Sequence, residues 1–322
     1  MTDQEIKQKT KRSRFAVLGD FCLDIYWHAD MQKSELSRET PHYPLPIVQE
    51  RMSAGGAGNV AANLLALEPA SVQCIGVFGN DWRGREYLKL LQDLGADTKS
   101  ILVEPNRLTN TYIKPLRKGY TDVVYEDPRL DFGNFTPLAA ETEERLLSVL
   151  DSLQCDLLCI CDQLPFGCIT NAIRDKICQL GRDGMTVMVD SRDRIGQYRH
   201  VIVKPNELEA SRALAMDGPY DMDKIQLMAT RLSRLTHRPA IVTAGEKGCV
   251  CADGGDTSVI PAVHLEGELD ICGAGDTFMA AFACAYTAGA SLNEAASLAC
   301  HAAAIIVKKL HTTGTASWQE LE

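Results

Sequence analysis

Short runs of β-branched and apolar residues alternate along most of this chain with longer segments whose apolar positions recur every three or four residues. The runs at 15–21, 72–78, 156–161, 186–190, 200–204 and 240–243 read as strands, and the segments 59–67, 83–94, 138–153, 169–180 and 222–235 as helices. Strands alternating with helices of this length imply parallel β-α-β units with right-handed crossovers. The pattern therefore predicts an α/β fold, a central and mostly parallel sheet with helices on both faces. Ligands of such sheets bind beyond the carboxyl ends of the strands. Asp24, Asn206 and Thr243 fall just past predicted strand ends.

Two segments, 24–51 and 108–131, break the alternation. They are rich in Pro, Tyr, Thr and Val, have no helical period, and each leaves and rejoins the α/β body. The plain reading is a pair of surface β-hairpins without function. With no repeat, low-complexity stretch or linker elsewhere, residues 1–322 are expected to form one domain.

Composition narrows the function. At 322 residues and 45% hydrophobic content the chain can bury a large core. A net charge of -10 speaks against nucleic acid as a partner, because such binders need basic stripes to displace phosphate counterions. The basic run at 7–14 is the exception and is expected to be a frayed tail. No apolar run reaches the roughly 20 residues of a membrane span, and 1–14 lacks the apolar core of a signal peptide, so no membrane partner and a cytoplasmic location are expected. The twelve cysteines include no C-x-x-C pair, which makes structural zinc a poor fit. Cys159 and Cys161 alternate within a strand, as do Cys249 and Cys251, while Cys284 and Cys300 sit among helical alanines; they read as small core residues in a reducing compartment. Cys272 differs in lying beside a glycine-rich turn.

That turn carries the chemistry. Asp270-Ile271-Cys272-Gly273-Ala274-Gly275-Asp276-Thr277 places two glycines and a carboxylate where a long apolar helix begins near Ala274. Glycine lets backbone N–H groups approach an oxyanion, and the helix dipole adds positive potential there. A capped turn would show the same four residues. Three further segments accompany it: Ser53-Ala54-Gly55-Gly56-Ala57-Gly58-Asn59-Val60-Ala61-Ala62-Asn63, Lys204-Pro205-Asn206-Glu207-Leu208-Glu209, and Val242-Thr243-Ala244-Gly245-Glu246-Lys247-Gly248. The first is no Rossmann fingerprint, since 50–54 does not read as a buried strand and the last glycine is missing; no G-x-x-x-x-G-K-[ST] occurs either. Its bare glycines and the amides of Asn59 and Asn63 suit a hydroxylated ligand, with helix capping as a second role for Asn59.

In this order the segments resemble the ribokinase-like (PfkB) sugar kinases, from about Phe15 to the last residue. The likeness is greatest to the D-glycero-beta-D-manno-heptose 7-phosphate 1-kinases, through residues 19–27, the Gly-Gly-Ala-Gly-Asn-Val-Ala spacing, Pro128-Arg129-Leu130-Asp131-Phe132 and the ending Gln319-Glu320-Leu321-Glu322. The resemblance implies a ribokinase-like fold whose two irregular segments form a β-sheet lid over the sugar, often used for homodimerisation. It implies ATP and Mg2+, and γ-phosphate transfer to a sugar or sugar-phosphate hydroxyl. Asp276 would be the catalytic base, with the N–H groups of Gly273, Ala274 and Gly275 holding developing charge. The acceptor would meet Asp24, Gly55, Gly56 and Asn59.

Asn206 and Glu209 match the family's N-x-x-E motif and would orient waters around magnesium, although an Asn followed by Glu at the third helical position is also a capping box. Lys204 is either a phosphate contact or a solvated strand-end lysine. Thr243, Gly245 and Gly248 look like the family's nucleotide loop. His301 stands where many relatives have Asn and either lies against the purine or caps a groove. Asp270 and the turn at 314–317 are candidates for a K+ site. Residues 34–41 depart from the heptose kinases' usual Ser-Arg-Ile-Ser-Pro-Glu-Ala-Pro, with Glu35 for Arg and Arg38 for Pro, and 161–167 loses the Lys of Asp-Tyr-x-Lys-Gly. A substrate phosphate wants a guanidinium or ammonium, which Lys114 or Arg129, or else Arg38 or Arg117, would supply. Since the sequence ends at Glu322 without an H-x-G-H signature, the nucleotidyltransferase activity that some heptose kinases carry is not expected.

Overall fold

Side chains along the central strands alternate between two apolar cores. In the computed structural model, which describes residues 1–310 and 314–321, Phe15 and Val17 point into one core and Ala16 and Leu18 into the other. The chain runs α1 (Asp3–Thr10), β1 (Arg14–Gly19), β2 (Phe21–Asp30), β3 (Ile47–Gly56), α2 (Ala57–Ala66), β4 (Ser71–Gly79), α3 (Trp82–Asp93), β5 (Asp97–Glu104) and β6 (Thr111–Lys118). It continues through β7 (Val124–Glu126), β8 (Leu130–Phe132), α4 (Ala140–Asp151), β9 (Leu157–Asp162), α5 (Asn171–Arg182), β10 (Val187–Ser191), β11 (Ile202–Val203), α6 (Glu207–Leu214) and α7 (Met222–Thr236). Last come β12 (Ala240–Thr243), β13 (Cys249–Asp253), β14 (Asp256–Ile260), α8 (Ala274–Thr287), α9 (Leu292–Ile306) and α10 (Trp318–Leu321).

The large sheet has the order β14-β13-β12-β11-β10-β9-β1-β4-β5. It is parallel except at one edge, where β13 is antiparallel to both β12 and β14. One face is covered by α2, α8 and α9 through Leu64, Phe282 and Leu298, and the other by α4, α5 and α7 through Leu146, Ile173 and Met228. The expected α/β architecture is therefore present. The sequence reading omits β5 and β14, the two edge strands. Each begins with polar residues, Asp97-Thr98-Lys99-Ser100 and Asp256-Thr257-Ser258, because an edge strand is half solvated and carries no continuous apolar run.

The second sheet has the order β3-β2-β6-β7, with β8 also pairing β6. It is the small sheet expected from the irregular segments, but it is longer than expected: β2 begins at Phe21 and β3 runs to Gly56. Residues 50–54 are thus strand after all, running from the exposed Glu50 to the buried Ala54, but in the small sheet, so the glycine loop still follows no strand of the large sheet. A single residue, Asp20, separates β1 from β2. Its buried carboxylate accepts N–H bonds from Gln163 (2.8 Å), Leu164 (2.7 Å) and Cys168 (2.9 Å), which ties the loop after β9 to the junction of the two sheets.

The basic N-terminal run is not a frayed tail, since α1 covers its first half and Arg14 opens β1. Thr2 and Glu5 form a capping box, Ile6 is buried, and Lys9 Nζ donates to Ala288 O at 2.8 Å, so α1 docks at the end of α8. Helix α8 itself is buried all round from Thr277 to Ala285, as expected of a helix that is apolar on every face. Its alanines let neighbouring helices approach closely, which holds its N-terminus in place. Among the described residues no helix is long and apolar enough to cross a membrane.

Candidate active site

The N-terminus of α8 lies among the carboxyl ends of the parallel strands. Gly273 is the N-cap, with φ 80°, a left-handed conformation that glycine adopts without strain. Ala274 N–H donates to Ile271 O at 3.2 Å, which closes the turn on itself. Gly275 and Asp276 belong to the first turn, whose N–H groups have no partner within the helix. Asn59 Nδ2 donates to Asp276 Oδ2 at 2.7 Å. Asn59 is fixed in turn: Asn63 Nδ2 donates to its carbonyl (2.9 Å), and Asn63 Oδ1 accepts from Thr277 Oγ1 (2.9 Å) and Ala316 N (3.3 Å). Desolvation raises the Asp276 carboxyl to about 7; the Asn59 bond opposes the shift, Asp190 adds to it, and Lys204 opposes it.

Lys204 is no solvated strand-end lysine. It is 3% exposed and pairs with Asp190 at 2.8 Å. A Cβ built on Gly275 would lie 3.6 Å from its Nζ, so the ammonium stands beside the glycine turn. Burial opposes its charge, but Asp190, Glu209 and Asp276 raise its pKa on balance.

Asn206 and Glu209 do form a capping box. Asn206 Oδ1 accepts from Leu208 N and Glu209 N, both at 2.9 Å, and Glu209 Oε2 accepts from Asn206 N at 2.8 Å. Burial and then Asp190 raise Glu209 to about 7, against the Asn206 bond, Lys204 and Arg192. Asp190, Glu209 and Asp276 thus crowd negative charge around one buried lysine. Oxygen donors with such an excess fit a hydrated divalent cation such as magnesium. Among the described residues no group of three or more His, Cys, Asp or Glu side chains is arranged to hold a metal ion directly.

The edge beyond β12 is built from Thr243, whose N–H donates to Pro205 O at 3.0 Å and which bridges Asn206, and from a 3-10 turn over Gly245–Lys247 that Gly248 ends. These two segments are therefore neighbours. His301 lies on the exposed side of α9, next to Cys300, whose sulfur is 3.8 Å from that of Cys249 in β13. Asp270 N–H donates to Val307 O, and Asp270 Oδ1 accepts from Cys272 N. In the turn at 314–317, Thr315 O accepts from Lys309 Nζ at 2.7 Å.

Asp24 closes the opposite side. It is buried on β2 beside Ser53 of β3 and Tyr112 of β6. A Cβ on Gly55 would come within 2.8 Å of Asp24 Oδ2, so glycine there is what admits the carboxylate. Tyr87 Oη donates to Gly55 O at 2.9 Å and anchors the loop from α3, while Gly56 is the N-cap of α2. Desolvation raises Asp24, against the charges of Lys114, Arg129 and Arg51. Lys114 Nζ donates to Tyr26 Oη at 3.2 Å. Arg129 stacks on Tyr112 and makes a bidentate pair with Asp131 at 2.6 and 2.7 Å. Of the other basic candidates, Arg117 pairs with Asp127 at 2.9 Å and Arg38 is exposed.

The model of the pfkB family carbohydrate kinases matches residues 24–319. The chain belongs to that family. Two curated relatives, each named bifunctional protein HldE, come from Wolinella succinogenes (29% identical, covering 95% of this chain and 63% of the relative) and Trichlorobacter lovleyi (31%, 96% and 62%). The chain thus spans less than two thirds of their length. Two structures of Escherichia coli phosphofructokinase-2, one in complex with substrates and products and one with potassium, are each 18% identical with a TM-score of 0.74 over 96% of this chain and 97% of theirs.

Sequence reasoning misses three residues of this pfkB kinase. Asp190 ends a predicted strand, 186–190, and the rule that singles out Asp24 and Thr243 applies to it equally. Arg192, two residues on, is exposed, and its charge acts on Glu209 and Tyr112. Arg51 lies 4.3 Å from the centre of the Tyr26 ring. No motif marks either arginine; Arg51 is placed by the pairing of β3 with β2 in the small sheet, and Arg192 by the end of β10 in the large one.

Proposed function

We propose that this carbohydrate kinase transfers the γ-phosphate of ATP to a hydroxyl of an already phosphorylated sugar, with heptose 7-phosphate and its O1 as the first candidate. One observation carries the reading: Lys114 and Arg51 meet Tyr26, two residues along β2 from the buried Asp24, and Arg129 stacks on Tyr112, which lies opposite Asp24 across the sheet, so three cations gather around one carboxylate. Asp24 and the Gly55–Asn59 loop orient the acceptor hydroxyls. Asp276 accepts the proton of the attacking hydroxyl, and its pKa near 7 suits a general base at neutral pH. Lys204 and the Gly273–Gly275 turn stabilise the charge that gathers on the transferred phosphoryl group. Thr243, Gly245, Gly248 and His301 border the nucleotide. Asn206 and Glu209 would hold magnesium through water, and the ion would supply charge neutralisation for the nucleotide phosphates. Asp270 and the 314–317 turn are proposed for K+.

The small sheet is the lid, which keeps water from the reacting phosphate. The exposed Ile47 and Val48 on β3, with Leu36 and Tyr43 in the connection that precedes it, suit a second copy of the chain. Residues 1–322 are read as one kinase domain acting in the cytoplasm.

Lys114→Ala is expected to raise the KM for the phosphorylated acceptor at least tenfold, the loss of a charge-assisted contact worth roughly 1.5–3 kcal/mol. Arg129→Ala should have a smaller effect, because Asp131 already offsets its charge. Steady-state kinetics on a phosphorylated sugar and its unphosphorylated analogue test this; an unchanged KM in Lys114→Ala overturns the phosphate assignment. Glu209→Gln retains a capping-box residue, so the variant should fold and require more magnesium for half-maximal turnover while acceptor KM stays nearly constant. A magnesium titration that superimposes on wild type makes Glu209 a cap alone.

A further inference from the structure

Two cysteines stand apart from this machinery. Cys249 opens β13 directly after Gly248 and pairs across the sheet with Thr243. Cys300 lies on α9 directly before His301. Cys249 is buried and Cys300 half-buried, neither is in a disulfide, and their sulfurs are 3.8 Å apart. A disulfide needs about 2.05 Å, so closure asks the sulfurs to approach by roughly 2 Å, within reach of a χ1 adjustment and a small shift of α9.

We propose that Cys300 and Cys249 form an oxidisable dithiol: Cys300 is the site of attack on a peroxide, and Cys249 resolves the product into a disulfide. The Cys300 thiolate attacks one peroxide oxygen, the O–O bond breaks, and hydroxide leaves and is protonated to water. Cys300 is then a sulfenic acid. The Cys249 sulfur attacks the Cys300 sulfur, the S–O bond breaks, and the departing hydroxide takes the Cys249 proton. Two thiols and one hydrogen peroxide give one disulfide and two waters. Exposure supports this division of roles, since Cys300 is half-buried and open to a small peroxide while Cys249 is buried behind it; the thiolate is the reactive form. The consequence for catalysis rests on the nucleotide-side reading above. Joining β13 to α9 beside Gly248 and His301 should distort both and raise the KM for ATP.

Brief exposure of the full chain to hydrogen peroxide, alkylation under denaturing conditions and digestion after glutamate test the proposal. Cleavage at Glu246, Glu266 and Glu294 places Cys249 and Cys300 on separate peptides. The expected product is a cross-link between the peptide that starts at 247 and the one that starts at 295, lost on treatment with dithiothreitol. Cys300→Ser should abolish it, and Cys249→Ser should leave a dimedone-reactive sulfenic acid at Cys300. Oxidation that spares Cys300, or a Cys300→Ser protein that oxidises at the wild-type rate, overturns the dithiol. For the cross-linked protein an ATP KM raised severalfold supports the full proposal. An unchanged KM leaves the dithiol in place and overturns the nucleotide-side placement of Gly248 and His301.

Discussion

Asp276→Asn should lower kcat by about 10²–10⁴, the range for loss of a general base, with little change in KM for either substrate. Asn keeps the shape and an oxygen for the Asn59 bond but cannot take the hydroxyl proton. The wild-type kcat/KM should rise with pH through about 7, as the Asp276 carboxyl, lifted by desolvation, ionises. The same shift makes a stability prediction of definite sign. A carboxyl whose folded pKa lies above its unfolded value near 3.9 contributes stability that is complete below the unfolded pKa and is lost as pH rises through the folded value near 7. Asp276→Asn should therefore be more stable than wild type at pH 8, by at most about 4 kcal/mol for a shift of this size, and the advantage should shrink toward pH 4. Thermal melts across that range distinguish the two roles, because an aspartate that merely caps α8 predicts a loss of stability at pH 8.

Lys204→Met is expected to be the most damaging change on the nucleotide side. It leaves Asp190 buried without its cation, which costs roughly 3–5 kcal/mol. It also removes a charge-assisted contact to phosphate, raising the KM for ATP about 10- to 100-fold. The two effects separate in the double variant Lys204→Met with Asp190→Asn. Removing both charges should restore most of the stability and leave the ATP KM high. If the double variant recovers both, Lys204 serves the ion pair alone.

The sequence discloses the central layers because β1, β9 and β10 are buried on both faces and appear as unbroken apolar runs. The edge strands β5 and β14 are half solvated and do not. Helix α1 escapes notice because Ile6 is its one large buried apolar residue, and its docking depends on Lys9 meeting a carbonyl nearly three hundred residues away. Residues of the site that follow a strand directly, Asp24, Asn206 and Thr243, are legible from the rule of carboxyl ends. Asp190 meets the same rule and is overlooked because it belongs to no glycine-rich motif. Whether Lys204 is solvated or buried cannot be read from Lys-Pro-Asn; the nearness of Asp190, brought by the parallel pairing of β10 and β11, decides it. The cations of the lid are less legible still, since Arg51, Lys114 and Arg129 come from three segments that meet only through the pairing of the small sheet.

The most direct test is ADP release from ATP and magnesium across a panel of sugars and their phosphates, heptose 7-phosphate included, each beside its unphosphorylated analogue. The account predicts turnover with at least one sugar phosphate at a kcat/KM ten or more times that of its analogue, about the discrimination of one charge-assisted phosphate contact, and its loss in Asp276→Asn. ADP release that is equal for both members of every pair, or that survives in Asp276→Asn, contradicts it.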